Sequence, residues 1–390
     1  MATLDVINVG QGDCMVIRPT DACMHAHKDI FVDLGPGNVD VSKYIYHDNV
    51  AIFITHHHSD HLDGLRYFYN DFNKISEIIL PYYQNEISLI AQAILKLKGF
   101  ATAKNCSYFK NLLQTIVDNQ QFLTHIHRKG GGPRLSFAYE GKRYCKHIKV
   151  LNPPLIPQCE NGVRDMPLEA LGRTFHELFD SDFADNLTRY VHYTQEGSLY
   201  DDPLSVNFLR IQPENNDAET AKGKVNVVLN FIVKNVAAMR AFNANPIQSK
   251  LKIVYDKYIA CTHDCCTVLK MSYNDATFLL TSDASKKVFN RLIQEKRHDL
   301  HADYLKMPHH GSKGNINNKI LNAIQPKVAI ISHDNGLFGC AKDPHPNQEV
   351  LNMLKTNRIT VLVTNDVVKK GKPVIKKSNN KNDRNVTVIG

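Results

Sequence analysis

Several things are missing from this chain, and each absence narrows what it can be. No apolar run is long enough to cross a bilayer. The longest candidate, Val225–Ala238, is interrupted by Asn230, Lys234 and Asn235 and reads as core. The start, Met1-Ala2-Thr3-Leu4-Asp5, has no basic segment leading into an apolar one, so no signal peptide is expected. Nine cysteines fall at irregular spacings with no repeated Cys-x-x-Cys pair, which argues against a zinc finger or a disulfide framework and for reduced thiols. Tryptophan is absent, and no internal repeat is visible. Together these features predict a soluble, cytoplasmic protein with no membrane association.

The remaining composition is that of an ordinary globular chain, 43% hydrophobic and 22% charged. Its 390 residues suffice for one large domain or two smaller ones. The net charge of +8 gathers partly in the tail, at Lys369, Lys370, Lys372, Lys376, Lys377, Lys381 and Arg384. Such a balance fits a polyanionic substrate, and equally a solvated, disordered-leaning C-terminus.

The chemistry concentrates at residues 55–64, Thr-His-His-His-Ser-Asp-His-Leu-Asp-Gly. His56, His58, Asp60 and His61 follow the pattern His-x-His-x-Asp-His. They come directly after Asn49–Ile54, which reads as a buried strand. Imidazole and carboxylate suit zinc, manganese and iron, and one loop presenting four such groups can serve two adjacent ions. A histidine tag lies at a terminus and does not continue into Asp60, His61 and Asp63-Gly64 after a strand. In an extended segment His57 points away from His56 and His58, so it is expected to pack rather than ligate.

Other strand-like segments also end in groups able to bind metal. Leu279–Asp283 ends in a carboxylate, and Tyr304–Ser312 carries His309 and His310 just past its apolar part. His263 lies between Cys261 and Cys265-Cys266, which are read as free cysteines and not ligands. His25/His27 and His125/His127 lack a following carboxylate and are read as surface or structural residues. His333-Asp334 is a weaker candidate for a substrate pocket.

Strands are expected at Leu4–Val9, Cys14–Ile17, Ile30–Leu34, Ala51–Ile54, Leu135–Tyr139, Lys149–Leu151, Thr267–Met271, Thr277–Thr281, Tyr304–Met307 and Lys327–Ser332. Asn274-Asp275 reads as a turn, and residues 65–120 as helical. The pattern loosens from Asn152 to about Gln248, with strands conceivable at Ser205–Ile211 and Val225–Val233. Strands at both ends of the chain, interspersed with helices, suggest two sheets packed face to face with helices outside.

Several strings carry a family resemblance. They are Asp5–Asp13, Val32-Asp33, His56–Gly64, Phe278–Asp283, Lys306–Ser312 and Pro326–Ser332, followed by His345-Pro346 and Glu349-Val350-Leu351. In this order they resemble the metallo-β-lactamase superfamily, and within it the hydrolase domain of ComEC-type competence proteins and their soluble relatives. The resemblance covers residues 4–65 and about 261–366. It implies an α/β fold, the αββα metallo-β-lactamase sandwich. Residues 1–151 and 261–390 would form its two halves, and 152–260 an insertion serving as a cap or a protein-partner surface.

The resemblance also implies two divalent metal ions, zinc or manganese. His56, His58 and His263 would bind the first. Asp60, His61 and His310 would bind the second, with Asp283 bridging, and Asp60, Asp283 and His310 would be catalytic. The final imidazole is assigned to His310 over His309, because the family's His-x-Ser matches His310-Gly311-Ser312. Asp33 would orient a ligand histidine, and Asp13, His309, Ser312, Lys313 and His345 are candidates for the surroundings or the substrate side. The implied activity is hydrolysis of phosphodiesters, with a nucleic-acid or nucleotide substrate and nuclease ranked first. A cyclic-nucleotide or other small phosphodiester hydrolase is the alternative. A lactonase, a β-lactamase, a thioesterase or a non-catalytic metal-binding module ranks lower.

Overall fold

Apolar alternation near the N-terminus builds the first strands. The computed structural model describes residues 3–19, 27–82, 133–154, 262–273, 276–295, 299–334, 344–369, 372–375, 377–378 and 386–389. Strands β1 (Thr3–Val6) and β2 (Cys14–Arg18) pair antiparallel, and β2 pairs in the same sense with β3 (Asp29–Leu34). From β3 the sheet turns parallel through β4 (Val50–Phe53), β5 (Ile75–Pro81) and β6 (Arg134–Ala138).

A second sheet has the same division. Strands β7 (Arg143–Cys145), β8 (Ile148–Asn152), β9 (Val268–Tyr273) and β10 (Ala276–Leu280) pair antiparallel. Strands β10, β11 (Tyr304–Lys306), β12 (Val328–Ile331) and β13 (Thr360–Val363) are parallel. Parallel neighbours need crossovers. Helices α2 (Lys286–Glu295), α3 (Asn318–Ile324) and α4 (Gln348–Thr356) supply these here, and in the first sheet α1 (Ser59–Leu62) with the 3₁₀ segment Asp63–Lys74 leads from β4 to β5. A small hairpin, β14 (Val367–Lys369) with β15 (Lys372–Ile375), follows. Then β16 (Val386–Ile389) pairs with β1, completing a first sheet of seven strands beside a second of seven.

Period-two alternation decides which face each side chain covers. Val32, Ala51, Phe53 and Ile79 of the first sheet share one buried cluster with Leu269, Met271, Phe278, Leu280 and Ile330 of the second. The two sheets therefore bury their inner faces against each other. On the outer face of the second sheet, Leu279, Leu305, Ala329 and Ile331 pack with Val288 and Phe289 of α2, Ile320 and Ile324 of α3, and Val350 and Leu354 of α4. On the first sheet, the Phe31 ring meets Phe68 of the 3₁₀ segment edge to face, centroids 5.2 Å apart. The protein is thus of mixed α/β class.

Two expectations change. Ile75–Pro81, inside the region read as helical, is a strand, and nearly all of it is buried between two parallel neighbours. A strand covered on both faces loses its alternation, so its apolar run mimics a helical pattern. The basic tail is not simply disordered: its Val-rich stretches form β14, β15 and β16. The chain divides into two units, one from residues 1–82, 131–155 and 263–390 and the other from 83–130 and 156–262. Residues 83–130 and 156–261 lie outside the described residues, as do the turn at 274–275, the helical reading beyond 82, the strand readings at 205–211 and 225–233, and His25, His125, His127 and Cys261. Among the described residues, no helix is long and apolar enough to cross a membrane.

Gly64 shows how tightly the first sheet meets the start of the 3₁₀ segment after α1. A Cβ there would collide with the Leu34 carbonyl oxygen at the end of β3. Gly141, by contrast, has positive φ but open space around it. Gly64→Ala should cost about 2–4 kcal/mol of stability and Gly141→Ala only about 1 kcal/mol. Equal melting temperatures for the two variants would contradict this packing.

Candidate metal centre

All the candidate residues come from one edge. In an α/β sheet, ligands gather beyond the carboxyl ends of the parallel strands. Asp33 stands at that end of β3, His56–His61 follow β4, Asp283 follows β10, and His309-His310 follow β11. Strands β2 and β9 run antiparallel to their neighbours β3 and β10, so the residues before them reach the same edge. Asp13 and His263 are those residues. A backbone hydrogen bond from Thr267 N to the Thr55 carbonyl, 2.8 Å, ties the two sheets together there.

Among the described residues, two buried groups of four bring ligand atoms within 4.8 Å of one another. One is His56, His58, His263 and Asp283; the other is Asp60, His61, His310 and Asp283. Asp283 belongs to both. Its Oδ2 lies 3.7 Å from His56 Nε2, 3.7 Å from His263 Nε2 and 3.5 Å from His61 Nε2. Its Oδ1 is 4.0 Å from His310 Nε2, which is 3.3 Å from Asp60 Oδ2.

The donor set fits metal ions. The Nε2 atoms of His56, His58, His61 and His263, and Oδ1 of Asp283, are buried without a hydrogen-bond partner. A buried polar atom left unpaired costs roughly 1–3 kcal/mol, and this many converging on one carboxylate call for a cation. The opposite ring nitrogens are held. His61 Nδ1 meets Asp33 Oδ2 at 2.8 Å and His310 Nδ1 meets the Ser332 carbonyl at 3.1 Å. His56 Nδ1 lies 3.2 Å from Thr55 Oγ1, whose hydroxyl donates to Asp33 Oδ2 at 2.7 Å. With Nδ1 held in this way, Nε2 is the ring nitrogen that faces the site. Asp33 thus orients His61 directly and His56 through Thr55.

The two groups hold protons differently. Burial pushes His56, His58 and His263 well below the usual imidazole range, leaving them neutral. Burial works against the protons of His61 and His310 too, but the nearby carboxylates outweigh it. Asp283, Asp60 and Asp33 raise His61 well above its ordinary value, and Asp13, Asp60 and Asp283 raise His310. Burial of Asp283 is outweighed in turn by His309, His61 and His310, which hold it well below the carboxylate range.

The remaining candidates lie around these groups. His57 is buried but belongs to neither. His309 Nε2 is 3.8 Å from Asp283 Oδ2, and its ring sits 4.7 Å from His263 and 5.0 Å from the buried His345, so it stands beside the first group. Ser312 Oγ accepts from Gly314 N at 3.2 Å and closes its own turn. Lys313 is half-exposed, 3.4 Å from Glu349. His333 turns from the site to the Asn365 carbonyl, 2.9 Å away, and burial pushes it down to about 4. Cys14 and Cys266 are buried free thiols whose burial pushes them well above the usual thiol range, so thiolate is disfavoured in both.

Sequence reasoning missed Thr55, Ser332, Lys306 and Ser282, whose hydroxyl lies 2.6 Å from that of Thr55 and 3.3 Å from His56 Nδ1. The lysine left a legible signal, a lone charge between Leu305 and Met307 in a strand. The hydroxyls left none, because threonine and serine are unremarkable at strand ends.

No family model matches the chain. Over 97 residues it is 35% identical to ComE operon protein 3 of Bacillus subtilis (strain 168), a match covering 25% of this chain and only 12% of that protein.

A cation bound by the second group would have to displace protons from His61 and His310, so its affinity should rise with pH through the range where they deprotonate. Calorimetric titration with zinc in two buffers of different ionisation enthalpy should give different heats. Identical heats would contradict the protonation assigned to these histidines.

Proposed function

We propose that this chain is a dinuclear-metal-dependent phosphodiesterase of the metallo-β-lactamase superfamily, acting on nucleic acid. The observation that carries the reading is the sharing of Asp283 between two buried groups, in which the Nε2 atoms of His56, His58, His61 and His263 have no hydrogen-bond partner. The two seven-stranded sheets with a shared core, and helices packed on the outer face of the second, support the αββα sandwich of that superfamily. Partial identity to ComE operon protein 3 supports the competence-type branch, from which the nuclease reading comes. The net charge of +8 suits a polyanionic substrate.

In this reading His56, His58 and His263 hold one divalent ion, and Asp60, His61 and His310 hold the other. Two such ions supply Lewis acidity that activates a water for attack and offsets charge on phosphoryl oxygens. Asp283 joins the two groups and keeps them close. Asp33, by fixing the rings of His61 and His56, keeps both Nε2 lone pairs on the site. His309 and His345 stand beside the first group, placed to donate hydrogen bonds to a bound phosphate.

The test is activity with zinc, manganese and iron in turn, on linear DNA, RNA, cyclic nucleotides, bis(p-nitrophenyl) phosphate and nitrocefin. Elemental analysis should give close to two ions per chain, and fewer than one at saturation would sink the dinuclear reading. Asp283→Ala should reduce phosphodiester cleavage to background, while a substitution at His57 should do far less. A single strand held through about four phosphates should bind roughly 50-fold more weakly at 200 than at 50 mM salt. A flat salt response with turnover of cyclic nucleotides would move the substrate to a small phosphodiester. Cleavage of nitrocefin or a lactone, with no phosphodiester cleaved, would overturn the function.

A further inference from the structure

Lys306 and Asp13 are 293 residues apart in sequence, yet both are fully buried and their charged atoms meet at 2.7 Å. A buried ion pair is a poor device for stability, since an apolar pair of similar size generally serves as well. Its position suggests another use. Asp13 Oδ1 accepts the Ser332 hydroxyl and lies 3.5 Å from His310 Nδ1, which is itself 3.1 Å from the Ser332 carbonyl. The Asp13 backbone N–H donates to the Asp60 carbonyl at 3.2 Å. Gly12 lies against that same carbonyl so closely that a Cβ would collide with it. The Lys306 ammonium also donates to the Met307 carbonyl, 3.1 Å away, at the root of the turn carrying His310. In that turn His309 and His310 hold φ of 46° and 53°, a left-handed conformation that non-glycine residues adopt at a cost.

These contacts reach two members of one metal-ligand group and none of the histidines of the other. We propose that Lys306 and Asp13 are a positioning pair for the Asp60, His61, His310 and Asp283 group. The carboxylate polarises and aims the His310 ring, and the ammonium lets that carboxylate stay ionised out of water. The pair fixes the cation affinity of this group and leaves that of the His56, His58 and His263 group largely alone. The inference rests on the metal-dependent reading above.

The test uses the full chain as wild type, Lys306→Met, Asp13→Asn and the double variant, each titrated with zinc and manganese by equilibrium dialysis and melted without metal. Either single variant should weaken the second ion about 10–100-fold and keep the first, with a lowered melting temperature from the charge left unpaired. The double variant leaves no buried charge unpaired, so its melting temperature should return towards wild type while the second ion stays weak.

Recovery of both stability and two-ion binding in the double variant would overturn the proposal, making the pair purely structural. So would equal loss of both ions, unchanged affinity in every variant, or failure of the double variant to fold. A wild-type chain that takes up no ion would instead remove the metal-dependent reading, and this inference with it.

Discussion

One carboxylate surrounded by imidazoles constrains the rest of the site. Asp283 lies within 4.0 Å of His56, His61, His263, His309 and His310 and is almost wholly buried. In so dry a place each imidazole must be neutral, protonated beside a carboxylate, or bound to a cation. The surrounding backbone holds the arrangement open. Ser282, His309 and His310 all take positive φ, and His309 N donates to the Ser282 carbonyl at 3.0 Å. Asn315 reaches back with its side-chain amide to the carbonyls of Asp283 and Ala284 at 3.1 and 3.0 Å, pinning the loop after β10. Strain of this kind persists only where neighbouring structure over-determines it.

The sheets explain how residues from distant parts of the chain reach that carboxylate. Each sheet has a parallel half, and the parallel strands of both end at the same edge. An antiparallel strand beside each parallel half brings its own N-terminal approach to that edge, adding Asp13 from the first sheet and His263 from the second. The apolar core beneath is continuous between the sheets, so the polar cluster sits on a dry floor. Low polarity below the site strengthens every ion pair and hydrogen bond within it.

Much of this was legible in the sequence. Half-buried strands announced themselves, and ligand-type residues placed just past apolar runs marked the edge before any geometry was known. The residues hardest to read were those whose role depends on a distant partner. Lys306 looks misplaced until Asp13 is set beside it, and Thr55 acts only because Asp33 and His56 flank its hydroxyl. Ile75–Pro81 failed for a different reason, since a strand buried on both faces leaves no alternation to detect. The late strands β14 and β15 were hidden among lysines, where charge suggested solvent more strongly than valine suggested a sheet.

Charge balance links the architecture to the kind of substrate proposed. Lys306 offsets Asp13, which leaves Asp33, Asp60 and Asp283 as the carboxylates beside the histidines. Without a cation, protons on His61 and His310 partly compensate them. Under the proposed dinuclear reading, two divalent ions bring four positive charges against those three carboxylates, and the histidines become neutral ligands. Until the attacking water loses its proton, the loaded site would carry a net positive charge on a dry floor. Such a field attracts and stabilises an anion that gains charge in its transition state. A phosphodiester brings that anion with it, whereas a neutral lactam or lactone develops its charge only during reaction. Under the same reading a lysine beneath Asp13 matters, because one more uncompensated carboxylate would cancel the field proposed to hold a phosphate.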